Sequence, residues 1–263
     1  MKKYIVPAIT TIIVLVALTG TYLHLSHVPQ LNGMDISHHN KVDWAKIENS
    51  GIEFCYIKAT EGKSFRDPMC RRHFKKAKQL GLHTGLYHYF RTDVPAEQQF
   101  RNFQSVAKGM DFNLVPTIDV EQQGNDFSDI EEVNRNLREL IRLFENEYGS
   151  KPLIYAGSWC CMKTIPVIYD CQIWLSILDK EKANYVPNTA IKQVAIIDNL
   201  DMNYCKDIGS LIMKQEKGES RKEKAERRKQ KGERRKENFA IKREQRQVTL
   251  ILPSVSKVKV AVK

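Results

Sequence analysis

Two carboxylates in the stretch VPTIDVEQQ, residues 115–123, have the spacing needed for acid–base chemistry. Side chains alternate along a strand, so Asp119 and Glu121 point to one face, with Cα atoms about 6.5 to 7 Å apart. Carboxylates held this close in a partly dry cleft raise each other's pKa, and the less solvated one keeps its proton at neutral pH. Glycosidic cleavage needs such a pair, because one group protonates the leaving oxygen while the other supports positive charge on the sugar.

Other polar residues stand at the C-terminal ends of apolar runs: Asp35, Lys58 with Glu61, and Tyr87. Each alone has a simpler explanation, such as a solvated strand end, or a lysine that neutralises a nearby acid. Trp174 also lies near a strand end, where it could either pack or form a platform for a sugar. Because several strand ends deliver acids or polar donors together, the sequence favours one shared site over separate structural roles.

Six strand-length apolar runs alternate with helical patterns along the chain: 32–37, 54–60, 83–90, 114–121, 152–157 and 172–178. Such alternation predicts parallel strands joined by crossover helices, as either a barrel or a doubly wound sheet. In a barrel, the carboxyl ends of the strands surround one mouth. A doubly wound sheet usually binds ligands only at its switch point, and this chain has no glycine-rich phosphate loop. We therefore predict an α/β fold of the TIM-like barrel type.

The predicted helices carry specific start and stop signals. Asp67 and Pro68 suit the beginning of the helix that follows the second strand. Ser128 and Glu131 have the spacing of a capping box, and the apolar stripe after them ends at Gly149. We expect this second helix to begin at Ser128.

The N-terminal segment, residues 1–27, has two lysines followed by an apolar run long enough to cross a bilayer. We predict an uncleaved membrane anchor over residues 5–25, with the rest of the chain outside the cytoplasm, because basic residues tend to stay on the cytoplasmic side. A cleaved signal peptide is the alternative, and the protein would then be secreted. Export permits disulfides, and Cys160, Cys161 and Cys171 are close enough in sequence to pair. No cysteine or histidine spacing indicates a metal site, and we expect no cofactor.

Within the C-terminal segment, residues 213–263, the stretch 213–247 is rich in Lys, Arg and Glu and supplies most of the formal net charge of +11. This stretch has too few apolar residues to build a core, so we predict a disordered basic tail over residues 213–263. Because aromatic residues are not interleaved with the basic ones, we expect no specific nucleic-acid partner. The barrel domain is then predicted to span residues 31–212, and we expect a monomer.

Several motifs occur in the order found in one known family. The stretches MDISHHNKVDWAKIENSGIEFCYIKATEGKSFRDP, GLHTGLYHYFR, VPTIDVE and KPLIYAG resemble those of glycoside hydrolase family 25, the Chalaropsis-type lysozymes. The resemblance covers about residues 31 to 204. It implies an eight-stranded barrel with five β/α units followed by three less regular strands. It also implies hydrolysis of the β-1,4 bond between N-acetylmuramic acid and N-acetylglucosamine in peptidoglycan.

The resemblance assigns roles to particular positions. Glu121 matches the general acid of the family, and Asp119 matches the residue thought to orient the acetamido group of the substrate. Asp35 matches the aspartate of the first strand, proposed as a nucleophile or as a stabiliser. The remaining candidates for the cleft are a tyrosine, the closing Asp-x-Asn pair, three residues of the cleft wall and one further aromatic residue. They are Tyr87, Asp201, Asn203, Lys58, Glu61, Arg91 and Trp174.

The resemblance weakens after Ser176. The family usually has a Trp-Gln-Tyr strand there, whereas this chain has Lys192 and Val194 at the aromatic positions. Each missing aromatic removes on the order of 1.5 to 3 kcal/mol of burial, so we expect residues 177–212 to close the barrel poorly. Two further functions therefore stay open: a catalytically impaired barrel that only binds glycans, or a basic adhesion protein that acts through its tail.

Overall fold

The structure, a computed structural model, describes residues 30–178 and 186–213. Eight strands form the barrel, and a ninth, β3, is a short hairpin partner of β2. The strands are β1 (Gly33–Ile36), β2 (Phe54–Glu61), β3 (Phe65–Arg66), β4 (His83–Tyr89), β5 (Thr117–Val120), β6 (Leu153–Gly157), β7 (Ile173–Ser176), β8 (Thr189–Ile197) and β9 (Leu200–Cys205).

Five α-helices follow the first five strands of the barrel. They are α1 (Trp44–Glu48), α2 (Cys70–Gln79), α3 (Ala96–Ala107), α4 (Ile130–Tyr148) and α5 (Ser158–Ile168). A 3₁₀ turn, Ile208–Leu211, follows β9. The predicted α/β barrel, with five β/α units and then three strands of a different pattern, is confirmed.

The barrel closes through its last two strands. Strand β9 runs antiparallel to both β8 and β1, and β1 pairs in parallel with β2. The expectation of poor closure at residues 177–212 is therefore wrong. Ile191 and Gln193 are buried, whereas Lys192 between them is exposed, so the missing aromatic at position 192 takes no volume from the interior. Asp198 and Asn199 have φ angles of 51° and 63°, and they form the tight turn between β8 and β9.

The barrel wall separates two apolar clusters. Ile118 and Val120 of β5 pack in the outer cluster with Leu137 and Phe144 of α4, as the alternation along the strand predicts. The inner cluster fills the barrel and includes Phe54, Tyr56, Leu114, Leu153, Trp174 and Ile191. The polar mouth of the barrel thus lies next to a tightly packed apolar interior.

Two glycines make room for aromatic rings inside the barrel. A Cβ atom at Gly33 would overlap the ring of Phe54, and a Cβ atom at Gly85 would overlap the ring of Tyr56. Both glycines are strand residues that face the interior. Bulky side chains on β2 therefore require the absence of side chains on its neighbours β1 and β4.

The capping box predicted at Ser128 is wrong. The N-cap of α4 lies one residue later than expected, because Asp129 caps the helix and its side chain accepts a hydrogen bond from the backbone N–H of Glu132 at 3.0 Å. The backbone N–H of Ser128 instead donates to Asp126. The predicted end of α4 is confirmed, since Gly149 has a φ of 76° and caps the helix in the left-handed conformation.

The predictions for residues 5–25 and 214–263 lie outside the described residues, so the proposed anchor and tail stay predictions. In residues 30–178 and 186–213, no helix is both long enough and apolar enough to cross a bilayer. All six cysteines belong to these ranges, and each is a free, buried thiol, so the suggested pairing among Cys160, Cys161 and Cys171 does not occur.

Candidate functional site

The paired carboxylates lie at the carboxyl end of β5. Asp119 is 6% exposed and stands in register with Tyr89 on β4 and Tyr155 on β6. Glu121 follows the last residue of the strand and is only half-buried. The two carboxyl groups are close enough that each shifts the pKa of the other. Because two negative charges this close repel each other, the site favours the state in which the pair holds one proton.

Burial sets the protonation of this pair. Loss of water raises the pKa of Asp119, and the charge of Glu121 raises it further, while Lys58 opposes both effects. Burial also raises the pKa of Glu121, against the lowering effects of Asp119 and of Lys58. Among the described atoms, Asp119 Oδ1 has no hydrogen-bond donor. The pair thus combines a proton source with an acceptor that no protein group satisfies.

Asp35 belongs to the same acidic group. It lies on β1, and its charge raises the pKa of Asp119 while the charge of Glu121 raises the pKa of Asp35. The pKa of Asp35 is raised mainly by burial and next by Asp201, its register partner on β9. The structure therefore brings the carboxylates of Asp35, Asp119, Glu121 and Asp201 together at one mouth.

Two buried amides contact Asp35. Asn203 Nδ2 donates to Asp35 Oδ2 at 2.8 Å, and Gln193 Nε2 lies 3.5 Å from the same oxygen. Asn203 is among the predicted site residues. The sequence analysis missed Gln193, although its place in the Lys-Gln-Val stretch, where the family has Trp-Gln-Tyr, could have indicated it. Both side chains are at most 3% exposed, so they act on Asp35 and offer little surface to a ligand.

Trp174 is buried inside the barrel. It is 1% exposed, its ring lies 5.0 Å from those of Tyr56 and Tyr155, and its Nε1–H donates to Asn203 Oδ1 at 2.8 Å. The indole therefore has no free face on which a sugar could stack, and the suggestion of a sugar platform at Trp174 does not fit the structure.

A chain of charges lines one wall of the mouth. Lys58 Nζ lies 2.8 Å from Glu61 Oε2 and 4.7 Å from the centre of the Tyr89 ring. Arg91 Nη1 lies 3.6 Å from the other oxygen of Glu61. A Cβ at Gly124 would collide with Arg91, so this guanidinium lies against the loop that follows Glu121. The three predicted wall residues thus form one connected group.

Two tyrosines lie close enough to the acids for the charges of the acids to affect them. Burial raises the pKa of Tyr87, and the charges of Asp35 and Asp119 raise it further. The pKa of Tyr155 is raised in the same way, by burial first and then by Glu121 and Asp119. Both phenols therefore keep their protons across the range in which the carboxylates titrate. Tyr87 was predicted from the sequence, and Tyr155 was not.

The buried His88 of β4 has a structural role. His88 Nδ1 lies 2.7 Å from Thr60 Oγ1, and its Nε2 lies 3.0 Å from Gln99 Oε1. Burial lowers the pKa of His88 to about 4, so the ring is neutral at physiological pH. Over the described ranges, no group of three or more His, Cys, Asp or Glu side chains could hold a metal ion.

A mostly parallel barrel with several acids at the carboxyl ends of its strands is an arrangement typical of glycoside hydrolases. The sequence profile of glycosyl hydrolases family 25 matches residues 34–199. The chain belongs to this family.

Parts of the chain are also similar in sequence to individual curated proteins. The chain is 32% identical over 141 residues to the uncharacterized protein YegX of Escherichia coli O157:H7, which covers 50% of this chain and 51% of YegX. It is 33% identical over 156 residues to an autolytic lysozyme of Clostridium acetobutylicum, covering 59% of this chain and 47% of the lysozyme. The chain thus spans about half the length of these curated relatives.

Solved structures share the fold. A family 25 glycosyl hydrolase from Bacillus anthracis superimposes with a TM-score of 0.60 at 24% identity, covering 68% of this chain and 90% of that chain. A bacterial lysozyme from Streptomyces coelicolor gives a TM-score of 0.61 at 19% identity, covering 71% and 96%. At these identities, the likeness establishes the barrel and leaves the chemistry to be argued from the residues.

Proposed function

We propose that this protein is a muramidase that hydrolyses the β-1,4 bond between N-acetylmuramic acid and N-acetylglucosamine in peptidoglycan. The observation that carries the proposal is the pair formed by Asp119 and Glu121 at the carboxyl end of β5, where each carboxyl group shifts the pKa of the other at the mouth of a barrel. Family membership and the similarity to an autolytic lysozyme support the choice of peptidoglycan as the substrate.

Glu121 is the general acid in this proposal. It is the more exposed member of the pair, so its carboxyl group can reach the glycosidic oxygen of a bound glycan. Burial raises its pKa above the ordinary value of a glutamic acid, which favours the protonated form that a general acid needs. That proton passes to the leaving oxygen as the bond to the anomeric carbon breaks.

Asp119 and Asp35 support the positive charge that develops on the sugar. The buried Asp119 is placed to accept a hydrogen bond from the N–H of the acetamido group, whose oxygen then attacks the anomeric carbon of its own sugar. Water later opens this intermediate, with Glu121 as the base, so the configuration at the anomeric carbon is retained. Asp35, held by Asn203, adds negative charge near the ring.

Replacement of Glu121 with Gln tests the proposal. The wild-type chain should clear a suspension of purified peptidoglycan and release products with N-acetylmuramic acid at the new reducing end. The Glu121→Gln variant should lose at least about a thousandfold in rate, since both the acid and the later base are absent, while it keeps its affinity for the glycan. Glu48→Gln, at an exposed position on α1, is the matched control and should cleave like the wild type.

Other outcomes of this experiment would contradict the proposal. Reducing ends of N-acetylglucosamine would indicate a different bond specificity. Glycan binding without cleavage by the wild-type chain would indicate a binding module on the same barrel. If removal of residues 214–263 abolished the function while the barrel stayed folded, the basic tail would be the working part.

We also propose that residues 5–25 anchor the protein in the cytoplasmic membrane, with the barrel on the outer side. The support is the sequence alone, in which Lys2 and Lys3 precede a largely apolar run without Asp, Glu, Lys or Arg. Membrane fractions from expressing cells should contain the full-length chain, and added protease should digest the barrel in spheroplasts. A soluble extracellular product that lacks these residues would instead show a cleaved signal peptide.

A further inference from the structure

We propose that Trp174 and Tyr155 are positioning residues, which hold the amides of Asn203 and Gln193 in the orientation that points both NH2 groups at Asp35. This inference rests on the proposed function, since Asp35 is taken to act as an anion during cleavage. It gives a role in the site to two aromatic side chains that do not contact the reacting atoms.

The indole of Trp174 fixes the orientation of Asn203. An indole N–H can only donate, so the atom of Asn203 that lies 2.8 Å from Trp174 Nε1 must be the amide oxygen. The NH2 group of Asn203 then points the other way, toward Asp35 Oδ2 at 2.8 Å. A rotation of this amide by 180° would bring two donors together at Trp174 and two acceptors together at Asp35.

Tyr155 has the matching effect on Gln193. Its hydroxyl group donates to Gln193 Oε1 at 2.7 Å, which leaves Gln193 Nε2 directed at Asp35. The contact to Asp35 is longer, at 3.5 Å, so Gln193 is the weaker of the two donors. Gln193 and Asn203 are also register partners on β8 and β9, which places the two amides side by side.

The orientation matters because acidic and weakly acidic groups surround Asp35 and oppose its charge. Asp201 and Glu121 raise the pKa of Asp35, in addition to burial, and only the bonds from Asn203 and Gln193 lower it. The ionisable groups that interact with Asp35, taken from every neighbouring element, are Asp201, Glu121, Asp119, Tyr87, Tyr155 and Cys55. A reversed amide would present a carbonyl oxygen to Asp35 and so remove the stabilisation of the anion.

Two conservative variants remove the donors that orient the amides of Asn203 and Gln193. Trp174→Phe keeps an aromatic ring between Tyr56 and Tyr155 but has no N–H, and Tyr155→Phe loses one hydroxyl group. In each variant, the amide loses the donor that fixes its oxygen, although Asn203 Nδ2 keeps its contact with the backbone oxygen of Asp201 at 3.3 Å. We expect kcat to fall by about 10- to 100-fold with little change in KM, the range expected when a hydrogen bond to a charged group is lost. Trp174→Phe should show the larger effect.

The pH dependence separates positioning from a loss of packing. In both variants, the acid limb of the rate profile should move to higher pH by about one unit, because Asp35 accepts a proton more readily. Tyr56→Phe is the matched control. It removes a buried tyrosine hydroxyl from the register partner of Asp35 on β2, and that hydroxyl donates to the backbone oxygen of Val115 at 2.9 Å. It should leave the acid limb where it is.

A direct titration makes the test independent of activity. The carboxyl carbon of Asp35 can be followed by NMR in the full-length, carbon-13-labelled protein and assigned by its absence in Asp35→Asn. A higher pKa of Asp35 in Trp174→Phe and Tyr155→Phe, with no change in Tyr56→Phe, supports the inference. An unchanged pKa in the first two variants, or an equal shift in all three, overturns it. Failure of the wild-type chain to cleave peptidoglycan would sink the proposed function and leave this titration interpretable.

Discussion

Asp35 on β1 and Asp201 on β9 are direct partners in the antiparallel register that closes the barrel. Side chains of directly paired residues lie on the same face of a sheet, so both carboxylates project toward the mouth. The charge of Asp201 is, after burial, the largest influence that raises the pKa of Asp35, and it also raises the pKa of Glu121. The strand pair that completes the fold therefore also tunes the site.

The first prediction concerns the charge at Asp201. Replacement with Asn removes a negative charge near two acids, so the pKa values of Asp35 and Glu121 should both fall, by roughly half a unit to one unit. Asp35 would then become anionic at lower pH, and Glu121 would lose its proton at lower pH. The bell-shaped profile of kcat/KM against pH should therefore move to the acid side on both limbs.

Asp198→Asn is the control for this shift. Asp198 lies in the same hairpin, but its side chain is 73% exposed and pairs with Lys46 at 3.4 Å. Its removal should leave both limbs in place. If only one limb of the profile moved in Asp201→Asn, Asp201 would not act on both acids.

The second prediction concerns the glycines inside the barrel. Gly85→Ala places a methyl group against the ring of Tyr56, which is fully buried and cannot move away, so the free energy of unfolding should fall by about 1 to 3 kcal/mol. Gly157→Ala is the matched control on β6, since no described atom lies within 4 Å of a Cβ built there. Denaturant unfolding of both variants measures the difference. Equal stabilities would contradict the packing argument.

Much of the site could be predicted because it follows from strand geometry. Asp35, Tyr87 and Asp119 lie on strands whose apolar runs are clear in the sequence, and the carboxyl ends of parallel strands share one mouth. Neither the identity of the strands nor the direction of these side chains depends on distant contacts. The grouping of the acids was therefore accessible from the sequence alone.

The hydrogen bond from Gln193 to Asp35 could not be predicted in the same way. Gln193 is 158 positions from Asp35 in sequence, and it faces the interior only because β8 pairs with both β7 and β9 in a particular register. That register contains irregularities on both sides, between Ile173 and Trp174 and between Gln193 and Ala195. Shifts of this kind decide which side chains point inward and leave no local signal in the sequence.

The start of α4 supplies the third prediction. Asp129→Ala should lower the free energy of unfolding by about 1 kcal/mol, because the N-cap bond to Glu132 is lost. Ser128→Ala should cost only a few tenths of a kcal/mol, since Ser128 does not cap the helix. Chemical denaturation of the two variants distinguishes the observed cap from the one that the Ser-x-x-Glu pattern favoured. A larger loss in Ser128→Ala would restore the original prediction.

The fourth prediction concerns the cost of burying Asp119. Its pKa is raised in the folded state, chiefly by burial, above the value of about 3.9 in an unfolded chain. The folded protein then binds more protons than the unfolded one between these two pKa values, so stability falls as the pH rises through that window. Asp119→Asn removes this titration. We expect a gain on the order of 1 to 3 kcal/mol at pH 7 that disappears below about pH 4.

The same substitution should abolish cleavage, because the neutral amide lacks the charge that supports the sugar, so stability and activity should change in opposite directions. Asp126→Asn is the control, since hydrogen bonds from Ser128 lower the pKa of Asp126 at the surface, and its removal should not stabilise the fold. Thermal unfolding at about pH 7 and about pH 4 measures both variants. A lower melting temperature for Asp119→Asn at neutral pH would mean that Asp119 stabilises the fold. That result would contradict the prediction that the site keeps this acid at a cost in stability.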